Sequence, residues 1–448
     1  MNGLTIYEFD ALAAAGADFS DIVSMHMVPA NVFKWLEEQC LRTADAREAA
    51  WLRLTQRRGR RVIQVTSFVG VIRAPDGFQI EVLPKVGKVI DGGAVEARKL
   101  LIEMLCCLHG FRHVRTDSAK LAATRMPLLE IFICEFLRTV EHIVKRGLRS
   151  DYRQRQDNLF ALRGKLLMSP HLRQNLYRAD RFFTEHDVFS TDRPENRLLH
   201  AALRRALLLT GTQANQQLAR ELDFVFADVP PSTQTRIDFQ QVRLDRGMGH
   251  YADALAWARL ILNEESPITG SEQHTAPSLL FPMEAVFEAY VVKHLPGQLP
   301  PHLFLKTQAR SHHLVRHLEQ NWFWLKPDLV IRNSERDLLV LDTKWKLLEG
   351  LKANGTDKYG LSQSDFYQLH AYGLSYLDGK GDVVLIYPRT DGFSGPLPVF
   401  DFPKNSEMRL WVLPFCLKQR KLILPDSPEF EPIFLQVGIN EASTETKL

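Results

Sequence analysis

The 448-residue sequence has only five cysteines, which form no CxxC pair and no spacing typical of a secreted disulfide framework. Long apolar runs are also missing. The most hydrophobic stretch, Leu100–Leu108, is interrupted by Glu103 and is shorter than the about 20 residues that a bilayer span needs. The first 19 residues lack the basic and apolar regions of a signal peptide. We therefore expect a soluble, cytoplasmic protein with reduced thiols and no membrane association.

An excess of charge of one sign is absent as well, since 56 Lys and Arg face 53 Asp and Glu, for a formal net charge of +3. This balance argues against a wholly basic nucleic-acid coat, although it says nothing about local patches. With 45% hydrophobic and 24% charged residues, the composition is that of ordinary globular domains rather than of a disordered chain. The length predicts two or three such domains.

Changes in hydrophobic periodicity divide the chain, and the predicted fold class is multi-domain α/β. Residues 1–94 are expected to form a β-rich adaptor or partner-binding domain, with a hairpin turn at Ala74-Pro75-Asp76-Gly77. Residues 95–265 have a largely helical pattern, and residues 279–436 a mixed α/β pattern. The polar residues 437–448 are expected to be a flexible tail.

Positive charge is concentrated in the helical middle segment. Between Lys145 and Arg181, ten basic residues face three acidic ones, and five aromatic residues are interleaved with them. Such a basic segment can neutralise phosphates and stack on bases, although a solvated face that packs its aromatic side chains inward would have the same composition. The candidate DNA contacts are Arg149, Arg153, Arg155, Arg163, Lys165 and Arg173.

The C-terminal segment places two acidic residues and a lysine on neighbouring predicted strands. Asp328 opens one strand after Pro327, and Asp342 lies near the end of the next, with Lys344 two residues further on. Period-two alternation places Asp342 and Lys344 on one face, with Thr343 opposite, and a hairpin can bring Asp328 beside them. Two carboxylates are hard ligands for Mg²⁺, with Mn²⁺ as a substitute, and an ammonium can assist the attacking water. The pattern predicts phosphodiester hydrolysis.

Helices on either side of these strands supply further candidates. Gln368 and Tyr372 lie one turn apart on a predicted helix, 364–377. Glu284 and Glu288 are spaced i,i+4 on the preceding one, and either could add a third carboxylate; Glu288 is preferred because it is nearer the strands. The predicted order is a helix at 279–294, two strands around 333–336, the helix at 364–377 and a strand at 383–388.

The order of these motifs resembles McrC, the nuclease subunit of McrBC-type modification-dependent restriction systems, within the PD-(D/E)xK nuclease superfamily. The likeness covers about residues 60–436 and is strongest over 279–390. It implies a restriction-endonuclease-like C-terminal domain with metal ligands, a lysine that assists the attacking water and two helix residues that position the scissile strand. The implied metal ligands are Asp328, Asp342 and Glu288, the lysine is Lys344, and the positioning residues are Gln368 and Tyr372.

The resemblance also implies a partner, an McrB-like AAA+ GTPase hexamer that recognises modified cytosine, translocates double-stranded DNA and is stimulated by this chain. The chain itself has no P-loop, because Thr356-Asp357 stands where a loop beginning at Gly350 would need Lys-Ser/Thr. Two alternatives stay open, a self-sufficient DNA nuclease without a motor and a non-catalytic adaptor that activates an AAA+ ring. Cutting both strands would need two active sites, so we also expect dimerisation of the complex.

Overall fold

The computed structural model describes residues 3–16, 24–44, 51–88, 93–108, 126–262, 278–426, 428, 430 and 433–434. Within them, the α-helices are α1 (Ala30–Ala44), α2 (Gly93–Leu105), α3 (Leu128–Arg146), α4 (Met168–Asn175), α5 (Pro194–Leu209), α6 (Gln213–Val225), α7 (Thr235–Gln241), α8 (Ala252–Leu262), α9 (Met283–His294) and α10 (Gln363–Tyr376). The strands of the N-terminal half are β1 (Gly3–Tyr7), β2 (Ala11–Ala14), β3 (Met25–Val28), β4 (Leu52–Arg57), β5 (Arg60–Val65), β6 (Phe68–Arg73), β7 (Gln79–Leu83), β8 (Asp151–Leu159), β9 (Lys165–Leu166) and β10 (Phe182–Ser190). Those of the C-terminal half are β11 (Ser278–Pro282), β12 (Phe304–Thr307), β13 (His312–His317), β14 (Gln320–Leu325), β15 (Leu329–Arg332), β16 (Asp337–Thr343), β17 (Gly381–Pro388), β18 (Phe400–Phe402), β19 (Asn405–Cys416) and β20 (Lys421–Leu422).

The chain divides into two units that are each discontinuous in sequence. The first unit contains the described residues of Met1–Gly3, Val71–Gln79 and Arg125–Leu279, and the second those of Leu4–Gly70, Ile80–Thr124 and Leu280–Leu448. Packing therefore groups most of the N-terminal β-rich segment with the C-terminal α/β segment, a division that differs from the sequence segments 1–94, 95–265 and 279–436. The predicted tail, 437–448, lies outside the described residues.

Part of the basic segment is strand. β8 pairs antiparallel with β10 along its whole length, with Tyr152 opposite Phe189, and β9 joins the other edge of β10. The segment with the largely helical pattern thus also contains three strands, which were not predicted because the side chains of β8 are mostly exposed and show no apolar alternation. Gly164 turns the chain into β9 at a φ of +71°, where a Cβ would lie 2.3 Å from the Glu185 carbonyl oxygen.

The helices of the first unit are joined through a buried carboxylate on α3. Glu130 accepts hydrogen bonds from Thr210 Oγ1 (2.6 Å), Gly211 N (2.5 Å), Thr212 Oγ1 (3.0 Å) and Asn215 Nδ2 (2.8 Å). Burial alone would raise the pKa of Glu130, but these donors outweigh it and lower the pKa. The carboxylate thereby fixes the turn between α5 and α6 to α3.

The second unit is built around a seven-stranded sheet of order β12-β15-β16-β17-β19-β18, with β20 beside β19. β15 and β16 pair antiparallel, whereas β16, β17 and β19 run parallel, and β17, buried from its second residue onward, lies near the centre of the sheet. The strands predicted around 333–336, the helix at 364–377 and the strand at 383–388 are confirmed by β15, β16, α10 and β17. The helix predicted from 279 begins only at Met283, because residues 278–282 form β11 and Pro282 ends it in an extended conformation.

The first seven strands lie in two smaller sheets, with orders β3-β2-β5-β4 and β1-β7-β6-β11, the second of which includes β11 of the C-terminal half. The predicted turn between β6 and β7 is confirmed. Ala74 N donates to the Phe78 carbonyl oxygen (2.9 Å), and Gly77 has a φ of 87°, which glycine adopts at no steric cost. Among the described helices, none has the length and apolar character needed to cross a membrane. The predicted multi-domain α/β class is thus confirmed at this level.

Candidate active site

The carboxylate of Asp342 lies deep in the seven-stranded sheet. β16 places it next to Leu385 of the parallel strand β17, and its residue is 1% exposed. Beyond the end of β16, Lys344 N still donates to the Ile386 carbonyl oxygen at 2.8 Å, so the backbone that carries Lys344 stays fixed to β17. The backbone positions of both residues, which the alternation predicted to lie on one face, are therefore fixed by pairing with β17.

Asp342 and Lys344 meet as an ion pair, with Nζ 2.6 Å from Oδ2. Apart from this pair, Oδ2 has no hydrogen-bond partner among the described residues. Burial and the nearby Asp328 raise the pKa of Asp342 to about 7, although Lys344 opposes the rise. Burial would lower the pKa of Lys344, but the charge of Asp342 outweighs it and raises that pKa, so the ammonium stays protonated.

Asp328 lies one residue before the Leu329–Leu341 pair of β15 and β16, which places it next to Asp342 across the antiparallel ladder. Its Oδ2 accepts hydrogen bonds from both the backbone N and the Oγ1 of Thr343, each at 2.8 Å. Thr343, assigned no role from the sequence, thus anchors Asp328 to the end of β16. One oxygen of Asp328 is fixed in this way.

On α9, Glu288 lies close enough to Asp328 for the two charges to interact. Burial and the charge of Asp328 raise the pKa of Glu288 to about 7, and Gln308 Nε2 donates to its Oε1 at 3.3 Å. Glu284, one turn earlier, instead accepts a hydrogen bond from Ser67 Oγ at 2.8 Å. The structure therefore brings Glu288, the preferred of the two acids, to the carboxylate cluster.

A hydrogen-bonded chain on α10 orients Lys344. Nζ donates to Gln368 Oε1 (3.1 Å), Gln368 Nε2 donates to the Tyr372 hydroxyl (2.8 Å), and that hydroxyl donates to the Lys326 carbonyl oxygen (3.0 Å). Because Gln368 and Tyr372 lie one turn apart, a single helix face supplies both links. The chain ends on the backbone two residues before Asp328, and it therefore couples the lysine to the strand that carries the metal-ligand candidate.

Asp365, in the first turn of α10, was missed from the sequence. Tyr387 of β17 donates its hydroxyl hydrogen to Asp365 Oδ2 at 3.2 Å, and burial, followed by the charge of Asp365, raises the pKa of Tyr387 far above its usual value. The Asp365 charge also contributes to the raised pKa values of Asp342 and Lys344. Its i,i+3 spacing to Gln368 on the same helix was the available signal.

A second set of contacts, not predicted from the sequence, fixes Trp345, the residue after Lys344. Trp345 Nε1 lies 3.0 Å from each oxygen of Glu8, Lys85 N donates to Glu8 Oε2 at 2.9 Å, and Lys85 Nζ donates to the Trp345 carbonyl oxygen at 3.0 Å. Burial raises the pKa of Glu8 to about 7 against the opposing charge of Lys85. Within the second unit, an N-terminal strand region thus fixes the backbone next to the lysine.

The carboxylate cluster fits a divalent cation in part. Among the described residues, no three Asp, Glu, His or Cys side chains converge closely enough to form a complete metal site. Mg²⁺, however, keeps most of its waters and needs only one or two protein carboxylates, which Asp328 and Asp342 supply. The buried Oδ2 of Asp342 and the raised pKa values of Asp342 and Glu288, to each of which the charge of Asp328 contributes, fit a cation that would offset this repulsion.

The six candidate DNA contacts of the basic segment are all exposed. Three of them are already ion-paired, Arg149 with Asp245 (3.2 Å), Arg153 with Asp192 (2.8 Å) and Arg155 with Asp157 (2.8 Å). Local carboxylates therefore offset about half of their charge. The remaining three are Arg163, Lys165 and Arg173.

Most aromatic side chains of the same segment point outward, unlike those of a face that packs its rings inward. Tyr152 is 69% exposed, Phe160 69% and Tyr177 95%. Arg181 lies over the Phe160 ring at 4.2 Å from its centroid, and the rings of Tyr152 and Phe189 are in contact, 5.2 Å apart. The segment thus presents aromatic and cationic groups together, as a nucleic-acid surface requires.

The fold and the site define a multi-domain α/β protein with a buried acid–lysine pair at the C-terminal end of β16, an interior strand of a mixed sheet. The McrBC 5-methylcytosine restriction system component family matches residues 63–388, well over half of the sequence. The chain therefore belongs to this family, and the resemblance found from its motifs is confirmed. No curated protein matches it.

Two solved structures are similar to the chain. One is described as a half-complex from a tetradecameric assembly of Thermococcus gammatolerans McrB AAA+ hexamers with bound McrC, and the match covers 94% of this chain and 97% of that one, with a TM-score of 0.65 and 20% identity. The other, the Thermococcus gammatolerans McrBC complex, matches over 66% of this chain and 87% of that one, with a TM-score of 0.49 and 22% identity. At such identity the first likeness shows a shared fold and no more.

Proposed function

We propose that this chain is the Mg²⁺-dependent DNA endonuclease subunit of a McrBC-type restriction system and cleaves double-stranded DNA that contains methylcytosine. The observation that carries the proposal is the buried Asp342–Lys344 ion pair next to Asp328. Membership of the family adds the substrate class. The second unit would then have the restriction-endonuclease-like role inferred from the PD-(D/E)xK motif.

In this proposal Asp328 and Asp342, with Glu288 nearby, would hold Mg²⁺. When bound, the cation would offset charge on the scissile phosphate and polarise the attacking water. Lys344 stays protonated because of its raised pKa, so its ammonium would orient the water and offset developing negative charge rather than accept a proton. Gln368 would hold Nζ in place through their 3.1 Å hydrogen bond, and Tyr372 would hold Gln368.

The partner in the proposal is an McrB-like AAA+ GTPase hexamer whose NTP hydrolysis this chain stimulates. Support comes from the similar solved chain, which belongs to an assembly of McrB AAA+ hexamers with bound McrC. The lack of a P-loop in this sequence is consistent with a partner that supplies the motor. Two copies of the complex would cut the two strands of a duplex, and the exposed cations Arg163, Lys165 and Arg173 would contribute DNA contacts.

The test combines the full chain with an McrB-like AAA+ protein and follows cleavage of methylated and unmethylated plasmid. We expect cleavage of the methylated plasmid only when Mg²⁺, GTP and the partner are all present, with Mn²⁺ able to replace Mg²⁺. Cleavage without the partner would favour the self-sufficient nuclease. Stimulated GTP hydrolysis with no cleavage under any metal would favour the non-catalytic adaptor and contradict the proposal.

A further inference from the structure

An exposed aromatic hairpin precedes the candidate site. β13 and β14 form a two-stranded sheet of their own, outside the seven-stranded sheet, and are called the aromatic hairpin below. Trp322 is 44% exposed, Phe323 67% and Trp324 48%. Three consecutive large aromatic residues with this exposure are unusual on a folded surface and mark an interaction site.

Two tyrosines of α10 fix both ends of the aromatic hairpin. The Tyr376 hydroxyl lies 3.1 Å from the carbonyl oxygen of Ala309, before β13, and 3.0 Å from that of Leu325, the last residue of β14. The Tyr372 hydroxyl donates to the carbonyl oxygen of Lys326, the next residue. Since Tyr372 also binds the glutamine that orients Lys344, the hairpin is anchored directly beside the candidate site.

The charge of this element favours an anionic ligand. Arg310, Arg316 and Lys326 are exposed on it or next to it, against a single acidic residue, Glu319. An apolar protein partner would make no use of these cations, whereas a nucleic-acid strand uses cations for its phosphates and rings for its bases.

The rings are arranged in pairs rather than scattered. His313 contacts Trp324 with 5.9 Å between ring centroids, and His317 contacts Trp322 at 4.8 Å. The backbone departs from regular strand at Phe323, whose φ of 57° is rare for a bulky residue. Left-handed conformations of this kind cost free energy and concentrate at ligand contacts.

We propose that the aromatic hairpin binds a locally unstacked DNA strand beside the scissile phosphate. Trp322 and Trp324 stack on its bases, while Arg316 and Lys326 contact its phosphates. This inference rests on the proposed nuclease function and adds a substrate contact to it. DNA is the expected ligand because the hairpin is positively charged and because it leads, through Lys326 and Pro327, into Asp328 of the candidate site.

The test measures DNA affinity of the full chain with Ca²⁺ in place of Mg²⁺, so that binding is separated from cleavage. Fluorescence anisotropy is recorded with a labelled duplex that contains unpaired bases. Each stacked base contributes a factor of about 5 to 150 in affinity, so we expect the double variant Trp322→Ala/Trp324→Ala to bind at least about 5-fold more weakly. Phe224→Ala, which removes another exposed aromatic ring, is the control and should bind normally.

A second arm tests the phosphate contact. We expect Arg316→Ala to reduce the slope of log affinity against log salt by about 1, while Arg336→Ala, an exposed arginine in the turn between β15 and β16, leaves the slope unchanged. Unchanged affinity of the double tryptophan variant, or no DNA binding by the wild-type chain, would overturn the inference. Wild-type self-association that the variant loses, with DNA affinity kept, would instead assign the hairpin to a second copy of this chain.

These outcomes are separable from the nuclease proposal. A chain that binds DNA through its tryptophans but never cleaves it would keep the hairpin assignment and lose the nuclease. Normal cleavage together with unchanged affinity of the tryptophan variant would keep the nuclease and refute the hairpin assignment.

Discussion

Replacing Lys344 with Met tests whether the ion pair keeps a buried carboxylate charged. Methionine preserves most of the apolar stem but removes the ammonium that lies 2.6 Å from Asp342 Oδ2. Burial and Asp328 already raise the pKa of Asp342 to about 7, and Lys344 opposes that rise. Without Lys344, the pKa of Asp342 must therefore climb above 7.

The magnitude follows from proton linkage. An acid whose pKa is higher in the folded chain than its ordinary value of 3.8 makes the fold less stable as pH rises between the two values. In the wild type this loss of stability is complete near pH 7, because the folded pKa of Asp342 is about 7. In Lys344→Met the folded pKa is higher, so the loss of stability continues above pH 7. Each further pH unit costs about 1.4 kcal/mol, so between pH 7 and pH 9 the variant should lose up to about 3 kcal/mol of unfolding free energy that the wild type keeps.

Urea unfolding followed by circular dichroism at pH 7 and pH 9 measures this difference. Lys346→Met, which removes an exposed lysine two residues further on, is the matched control and should show no such pH dependence. In the double variant Lys344→Met/Asp342→Asn the extra dependence should disappear. An equal stability gap at both pH values, or the same gap in Lys346→Met, would refute the assignment of Asp342 as a buried ionised partner of Lys344.

Three further substitutions test other parts of the fold and the site. Glu130→Gln should lower the free energy of unfolding by about 1.5–3 kcal/mol, and because the folded pKa of Glu130 is lowered, the deficit should shrink as pH falls below its ordinary value of 4.5. Tyr372→Phe removes the hydroxyl that positions Gln368 and should slow DNA cleavage by about 10- to 100-fold in single-turnover assays. Gly164→Ala should lower the melting temperature, since its Cβ would lie 2.3 Å from the Glu185 carbonyl oxygen at a φ of +71° and cost about 1–3 kcal/mol.

Each of these substitutions has a control on the same chain. Glu221→Gln changes an exposed acid of α6, Tyr367→Phe an exposed tyrosine of α10, and Gly395→Ala a glycine at which an added Cβ would meet no atom within 4 Å. If Glu130→Gln were as stable as Glu221→Gln, that result would contradict a stabilising role of the hydrogen bonds to the buried Glu130 carboxylate. If Tyr372→Phe cleaved DNA at the wild-type rate, the tyrosine would have no part in positioning Gln368. If Gly164→Ala were as stable as Gly395→Ala, that result would contradict the close approach of residue 164 to the Glu185 carbonyl oxygen.

Local patterns predicted the elements that carry the chemistry. Alternation placed Asp342 and Lys344 on one face because β16 is a regular strand, and Pro and Gly marked the turn before β7 because they supply the required φ angles. The choice of Glu288 over Glu284 also agrees with the geometry, in which the charge of Asp328 contributes to the raised pKa of Glu288, whereas Glu284 binds Ser67 Oγ. Strong local signals and short sequence separations explain these results.

The features that sequence reasoning missed depend on distant packing. The contact between Glu8 and Trp345 spans 337 positions, and no local pattern encodes it. Asp365 acquires its place only when α10 packs near Tyr387. β8 was not recognised as a strand because its exposed residues have no apolar alternation, and its pairing with β10 supplies what its own pattern lacks.

Cleavage of methylated plasmid by Asp342→Asn, assembled with the AAA+ partner in Mg²⁺ and GTP, tests the central claim most directly. The control is Asp337→Asn, an acid at the opposite end of β16 that lies 3.6 Å from Arg332. The account predicts that Asp342→Asn abolishes cleavage while partner binding and stimulated GTP hydrolysis persist, and that Asp337→Asn still cleaves. Metal-dependent cleavage by Asp342→Asn at the wild-type rate would contradict it.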